Sequence, residues 1–163
     1  MMDDLMVVVI GLGNILLGDE GVGIHAVRAL EKHFPHPRIA YYDGGTRGLS
    51  LLPFMEEASH LLLFDAVRTR KDPGTLVEIA DEDLYSSIPL KFSAHDIALP
   101  DLLTLLRLRS EGKLKAIILL GLVPESFTFS TELSPKIRAS LPELVERAEE
   151  ALKGWLAGVK TAA

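Results

Sequence analysis

The sequence predicts an α/β fold of three layers, with helices on both sides of a mixed, mainly parallel five-stranded sheet that has one antiparallel strand. Three observations carry that expectation. Short apolar runs of strand length alternate with longer stretches of helical periodicity. Their order reads βαβαββαβα, which suits parallel strands joined by helices. One link between consecutive strands, VRTRKDPG at 67–74, carries a turn signal and is too short for a helical crossover, so the third and fourth strands are expected to run antiparallel.

The first strand is LMVVVI at 5–10, and a glycine-rich loop leads from it into a helix over 20–34. RIAYYD at 38–43 is the second strand, followed by a helix over 46–58. HLLLFDA at 60–66 and TLVEIA at 75–80 are the third and fourth strands. A helix over 98–111, the strand AIILLGL at 116–122 and a last helix over 134–157 complete the order, with Pro142 as the point where that helix would break. The piece between, DEDLYSSIPLKFSAHDI at 81–97, is the longest irregular stretch, and its length suggests a functional loop.

The 163 residues, 48% of them hydrophobic, suffice for one compact domain spanning 1–163. A formal net charge of -6 argues against a nucleic-acid partner, which would need clustered Lys and Arg. With no cysteine, disulfides, thiolate metal sites, iron–sulfur clusters and a cysteine nucleophile are excluded. The acidic start MMDDL and the interruption of the apolar run by Gly11, Gly13 and Asn14 are unlike a secretory signal. No apolar run approaches the roughly 20 residues of a membrane span. A cytoplasmic protein with no membrane partner is expected.

The stretch VIGLGNILLGDEGVG at 9–23 places Asp19 and Glu20 in a loop of a kind that usually cradles phosphate. Two carboxylates would repel phosphate, and GLGNILLG lacks the third glycine of a dinucleotide fingerprint, having Leu16 there. Ligands of such sheets bind beyond the carboxyl ends of the parallel strands. Glu20 follows the first strand, Asp43 ends the second and Asp65 ends the third, so the three share that edge. The 81–95 segment, at roughly 3.3 Å per residue when extended, is long enough to return His95 to it. Glu20, Asp65 and His95 form an O, O, N set on three loops, suited to a divalent cation such as nickel, zinc or manganese.

Plainer roles compete for the same residues. Asp19 or Glu20 could be an N-cap or first-turn acid of the helix, a role that Asp19 fits best. His95 could be a hydrogen-bonded loop histidine, and His25, His33 and His36 read as helix-surface and turn residues. Asp65 is harder to explain away, because an unpaired charge ending a buried strand is costly. Neither a G-x-S-x-G elbow nor an H-E-x-x-H helix is present. A nucleophile and base at Ser93 and His95 lack an evident third group to orient them.

Taken together, GLGNILLGDEGVG (11–23), DGGTRGLSLL (43–52), LLLFDAV (61–67), SAHDIALPDLL (93–103) and LSPKIRASLP (133–142) resemble the maturation endopeptidases of nickel-iron hydrogenases, in order and across nearly the whole chain. The resemblance implies a cytoplasmic protease that removes a C-terminal peptide from the hydrogenase large-subunit precursor once nickel has been inserted. It implies a mixed five-stranded sheet between helices. It places the metal contacts on Glu20, Asp65 and His95 and the aspartate of the D-x-G-T motif on Asp43, giving a site of Glu20, Asp43, Asp65 and His95. The nickel belongs to the precursor, and other divalent metals are expected to occupy the same contacts in vitro. Asp19 is then left to shape the turn. Arg68, Arg70 and Lys71 either guide an acidic part of the precursor or form a solvated loop. A peptidyl-tRNA hydrolase also opens with GLGN, but it would want Pro-Gly where Ile15-Leu16 stand, and a basic face. A noncatalytic chaperone of the nickel-loaded subunit is the alternative from another class.

Overall fold

A computed structural model describes residues 5–86, 91–92 and 99–161. In chain order the elements are β1 (Val7–Leu12), α1 (Val22–His33), β2 (Ile39–Gly45), α2 (Leu52–Met55), β3 (His60–Arg68), β4 (Leu76–Ala80), α3 (Glu82–Tyr85), β5 (Lys91–Phe92), α4 (Leu99–Ser110), β6 (Ala116–Leu122) and α5 (Pro135–Thr161). The sheet order is β2-β1-β3-β6-β4. β1 pairs parallel with β2 and β3, and β3 pairs parallel with β6. β4 lies antiparallel on β6. The mixed sheet is as expected, and β4 does run against β3. The turn between them nevertheless carries the chain past β6, which sits between the two. The two-residue β5 adds a further antiparallel pairing, Val67 with Phe92 and Arg68 with Lys91.

The layers follow from side-chain alternation along buried strands. Val7, Val9, Leu62, Phe64, Leu120 and Leu122 face one way, onto Val22, Ala26 and Leu30 of α1 and Ile137, Leu144, Ala148 and Leu152 of α5. Val8, Ile10, Leu61, Leu63, Ile117 and Leu119 face the other way, onto Met55, Leu84 and the Leu102, Leu103 and Leu106 stripe of α4. Both faces being covered explains why β1, β6 and the Leu61–Phe64 run of β3 are continuously apolar rather than alternating.

Two expected helices differ. The stretch 46–58 yields only a 3₁₀ turn at Gly48–Leu51 and the single turn of α2. Gly48 stands at φ +55°, outside the helical region, so no helix can run through it. In contrast, α5 runs unbroken past Pro142. A proline inside a helix costs about 3 kcal/mol, which the buried face of Ile137, Leu144, Ala148 and Leu152 offsets through packing. No described helix is long and apolar enough to cross a membrane.

Candidate active site

The loop that leaves β1 closes as a 3₁₀ turn, Gly18–Gly21, that leads directly into α1. Two glycines permit this. Gly13 has φ +132°, and a Cβ there would lie 2.0 Å from the Glu20 carbonyl oxygen. A Cβ on Gly23 would lie 2.3 Å from the Leu12 carbonyl oxygen and 2.5 Å from that of Phe64, so α1 sits on β1 and β3 at a spacing only glycine allows. The close approach brings the turn against β3, and the turn residues Asp19 and Glu20 are both buried.

Asp19 does not cap a helix of its own. Its carboxylate accepts four hydrogen bonds from a distant part of the chain: from the backbone N–H groups of Glu125 (3.0 Å), Ser126 (2.8 Å) and Ser134 (2.8 Å), and from the Ser134 hydroxyl (2.7 Å). Backbone pairing continues the seam. Gly18 N–H donates to Ser130, Asp19 N–H to Ser126, and Ser130 N–H to Leu16. The segment between β6 and α5 is thereby fixed as a roof over the loop, ending where Pro135 begins α5. The expected N-cap role of Asp19 is corrected accordingly: the carboxylate shapes its turn by tying it to this roof.

Glu20 is 1% exposed, and its Oε1 accepts a 2.6 Å hydrogen bond from the Arg68 guanidinium. Arg68 closes β3 and lies over the ring of Phe127, 4.2 Å from guanidinium carbon to ring centroid. Asp65 is fully buried, three residues earlier on the same strand, opposite Gly121 of β6. Its Oδ1 accepts the N–H of Ala66 at 2.8 Å. Glu20 and Asp65 therefore stand at the carboxyl ends of neighbouring parallel strands, out of water. Asp43 ends up at the same edge, opposite Gly11, but it faces solvent. Its side chain is 43% exposed and pairs with Arg28 at 2.9 Å, while its carbonyl oxygen accepts from Arg47.

His95 lies outside the described residues, as does Ser93. Among the described residues no group of three or more His, Asp or Glu is placed to hold a metal ion. The oxygen members of the expected set, Glu20 and Asp65, are hard donors apt for a divalent cation of intermediate hardness. His36 is the expected turn residue, accepting the Arg38 N–H at Nδ1, and His33 pairs with Glu149 at 3.0 Å. His25 differs from the expected surface role in being only partly exposed, with its Nε2 buried and without a hydrogen-bond partner among the described residues. Burial pushes its pKa below the ordinary value.

Two features escaped the sequence reading. The roof contacts Asp19 from 106 to 115 positions away, a distance at which no local pattern operates. Arg68, expected with Arg70 and Lys71 either to guide an acidic part of the precursor or to form a solvated loop, closes β3 three residues after Asp65 and pairs with Glu20 at the same edge.

A glycine-rich turn feeding a helix, with buried carboxylates at the carboxyl ends of parallel strands, defines an α/β protein whose candidate site lies at that edge of the sheet. The relatives specify it further. Residues 24–151 match the hydrogenase maturation protease family, and the chain belongs to that family. It is 36% identical over 151 residues to the hydrogenase 2 maturation protease of Escherichia coli (strain K12), covering 91% of this chain and 92% of that protein. It is 33% identical to the hydrogenase expression/formation protein HoxM of Cupriavidus necator, covering 92% of this chain and 75% of that one. Among solved structures, the hydrogenase maturating endopeptidase HybD from Escherichia coli superposes with a TM-score of 0.84 at 34% identity, over 92% of this chain and 93% of that one. The [NiFe] hydrogenase maturation protease HybD from Thermococcus kodakarensis gives 0.75 at 26% identity, over 90% and 99%. This chain is thus a peptidase of hydrogenase maturation, which displaces the peptidyl-tRNA hydrolase and chaperone readings.

Proposed function

We propose that the protein is the endopeptidase that removes the C-terminal extension from the nickel-loaded large-subunit precursor of a nickel-iron hydrogenase, and that it uses the precursor's nickel as its recognition element. The observation that carries this reading is the burial of Glu20 and Asp65 at the carboxyl ends of adjacent parallel strands. Two carboxylates buried beside one edge suit a metal delivered by the substrate. His95 is the third contact. Asp43, solvated and paired with Arg28 at the same edge, positions the precursor rather than meeting its metal.

Oxygen and imidazole donors are harder than thiolates. A site made of them can touch a metal held by the precursor's thiolates without extracting it. Hydrolysis then requires water to add to the scissile carbonyl carbon and the C–N bond to break. The carboxylate that orients the water takes its proton and passes it to the departing nitrogen. Only a correctly loaded precursor would bring the peptide into line, so the metal acts as the check on specificity.

The test is cleavage of precursor prepared with and without nickel, at equal enzyme, followed by mass spectrometry for release of the C-terminal peptide. Release from the loaded precursor alone is expected. Equal release from both would end the metal-reading mechanism, and no release from either would leave a role that is not proteolytic.

A further inference from the structure

We propose that Arg68 is a latch on Glu20. Its guanidinium holds the cation position of that carboxylate while no precursor is bound, and gives it up only to a metal that arrives with the precursor. The proposal rests on the reading of Glu20 as a metal contact and adds to it a residue that decides which metals reach it.

Glu20 is 1% exposed, so its charge needs a partner. One such partner in this structure is Arg68, at 2.6 Å. The two ends of the pair are unlike. The carboxylate is fixed in a turn between β1 and α1, whereas the arginine is 46% exposed and ends its strand, so its side chain can swing outward without moving the sheet. Phe127 gives the guanidinium a second hold, by cation–π stacking at 4.2 Å. Phe127 belongs to the roof that Asp19 ties down, so the hold is set by the segment bonded to the neighbouring turn residue. Asp19, Glu20 and Asp65 are all buried at this edge. Removing the arginine takes one positive charge away from these buried carboxylates and makes the edge more attractive to a divalent ion from solution. With the arginine in place, a free ion must displace a paired and stacked guanidinium using only its own contacts. A metal borne by the precursor has the whole docking interface to help, and the released arginine is then available to a carboxylate of the precursor.

The experiment titrates nickel(II) chloride alone into the purified full chain by calorimetry, with the native protein, Arg68→Ala, Arg68→Gln, Glu20→Gln and the double variant Arg68→Ala/Glu20→Gln. Arg68→Gln retains the stem and an amide donor while removing the charge, and so serves where the alanine variant folds poorly. Both single Arg68 variants should bind nickel roughly tenfold more tightly than the native chain, the scale of one part-buried ion pair. The double variant should show no gain. Native-like affinity in both Arg68 variants overturns the latch, as does a gain that survives Glu20→Gln. The underlying reading fails by a different result: full precursor processing by Glu20→Gln would remove Glu20 from the site whatever the titrations give.

Discussion

The loops that follow β1 and β2 are similar in sequence and opposite in outcome. Both are glycine-rich, both are flanked by acids and both close in a 3₁₀ turn, Gly18–Gly21 and Gly48–Leu51. The first buries Asp19 and Glu20, while Asp43, near the end of β2 where the chain enters the second, is 43% exposed in an ion pair with Arg28. The difference lies in the roof. The segment 125–134 crosses the first loop and donates to Asp19, and Asp43 receives its contacts from α1 and its own loop. A carboxylate in water interacts with a cation several-fold more weakly than one in a drier site. An acid near the sheet edge is therefore not buried by its place in the sequence alone; a second segment has to cover it.

The largest consequence concerns catalysis. Glu20→Gln and Asp65→Asn keep the shape of buried groups and remove their charge, so each should lower precursor processing by about 100-fold or more. Asp43→Asn should cost about tenfold or less, since a solvated pair is screened. Initial rates of peptide release, with thermal unfolding as the folding control, make the comparison. Equal losses at all three positions would abolish the distinction between the loops.

Stability should separate them next. Asp19→Ala strips the partners from three backbone N–H groups and one hydroxyl. At about 1 kcal/mol for each unsatisfied group, the loss should be about 3–4 kcal/mol in urea unfolding. Asp43→Ala gives up one exposed pair and should change stability by less than about 1 kcal/mol. Ser134→Ala removes only the hydroxyl contact and should fall between them. A loss at Asp19 no greater than at Asp43 would mean that the roof is held by something other than this carboxylate.

How much of this was visible in the sequence depends on range. β1, β3, β6, α1 and α4 lie within a few residues of where apolar runs and helical periodicity place them, because those signals are local and both faces of the sheet are covered. The position of β6 between β3 and β4 was not legible, since a tight turn signal says that two strands reverse but not that they are neighbours. The helix expected at 46–58 failed at Gly48, whose left-handed backbone composition alone does not announce. In the site, Glu20, Asp43 and Asp65 were located at one edge by topology. Their unlike burial was hidden, because it depends on contacts between distant parts of the chain, such as that of Asp65 with β6 and of the Glu20 turn with residues 125–134. Arg68 was visible as a charge and hidden as a partner for the same reason.

The smallest difference expected between the loops is their response to acid. His25 on α1 is half-buried beneath the roof, and burial lowers its pKa below the ordinary 6.5, outweighing the opposite pull of the Thr131 backbone and of Asp19, while Arg28 and Arg138 lower it further. The second loop, 43–55, contains no histidine. A depressed histidine pKa means that the unfolded chain takes up its proton first as pH falls. The stabilising difference is therefore complete above the unfolded value and is lost as pH drops from there through the folded value. His60 is lowered by burial in the same sense and adds a global slope. The local part belongs to His25: between about pH 7.5 and about pH 5.5, the Ser126 and Ser134 amides bound to Asp19 should lose protection from hydrogen exchange, corrected for the intrinsic rate. His25→Asn should flatten that loss, and His60→Asn should leave it in place while reducing the pH dependence of global unfolding. If both amides lose protection equally in His25→Asn and in the native chain, the acid response of the roof arises elsewhere, and the first loop is no more sensitive than the second.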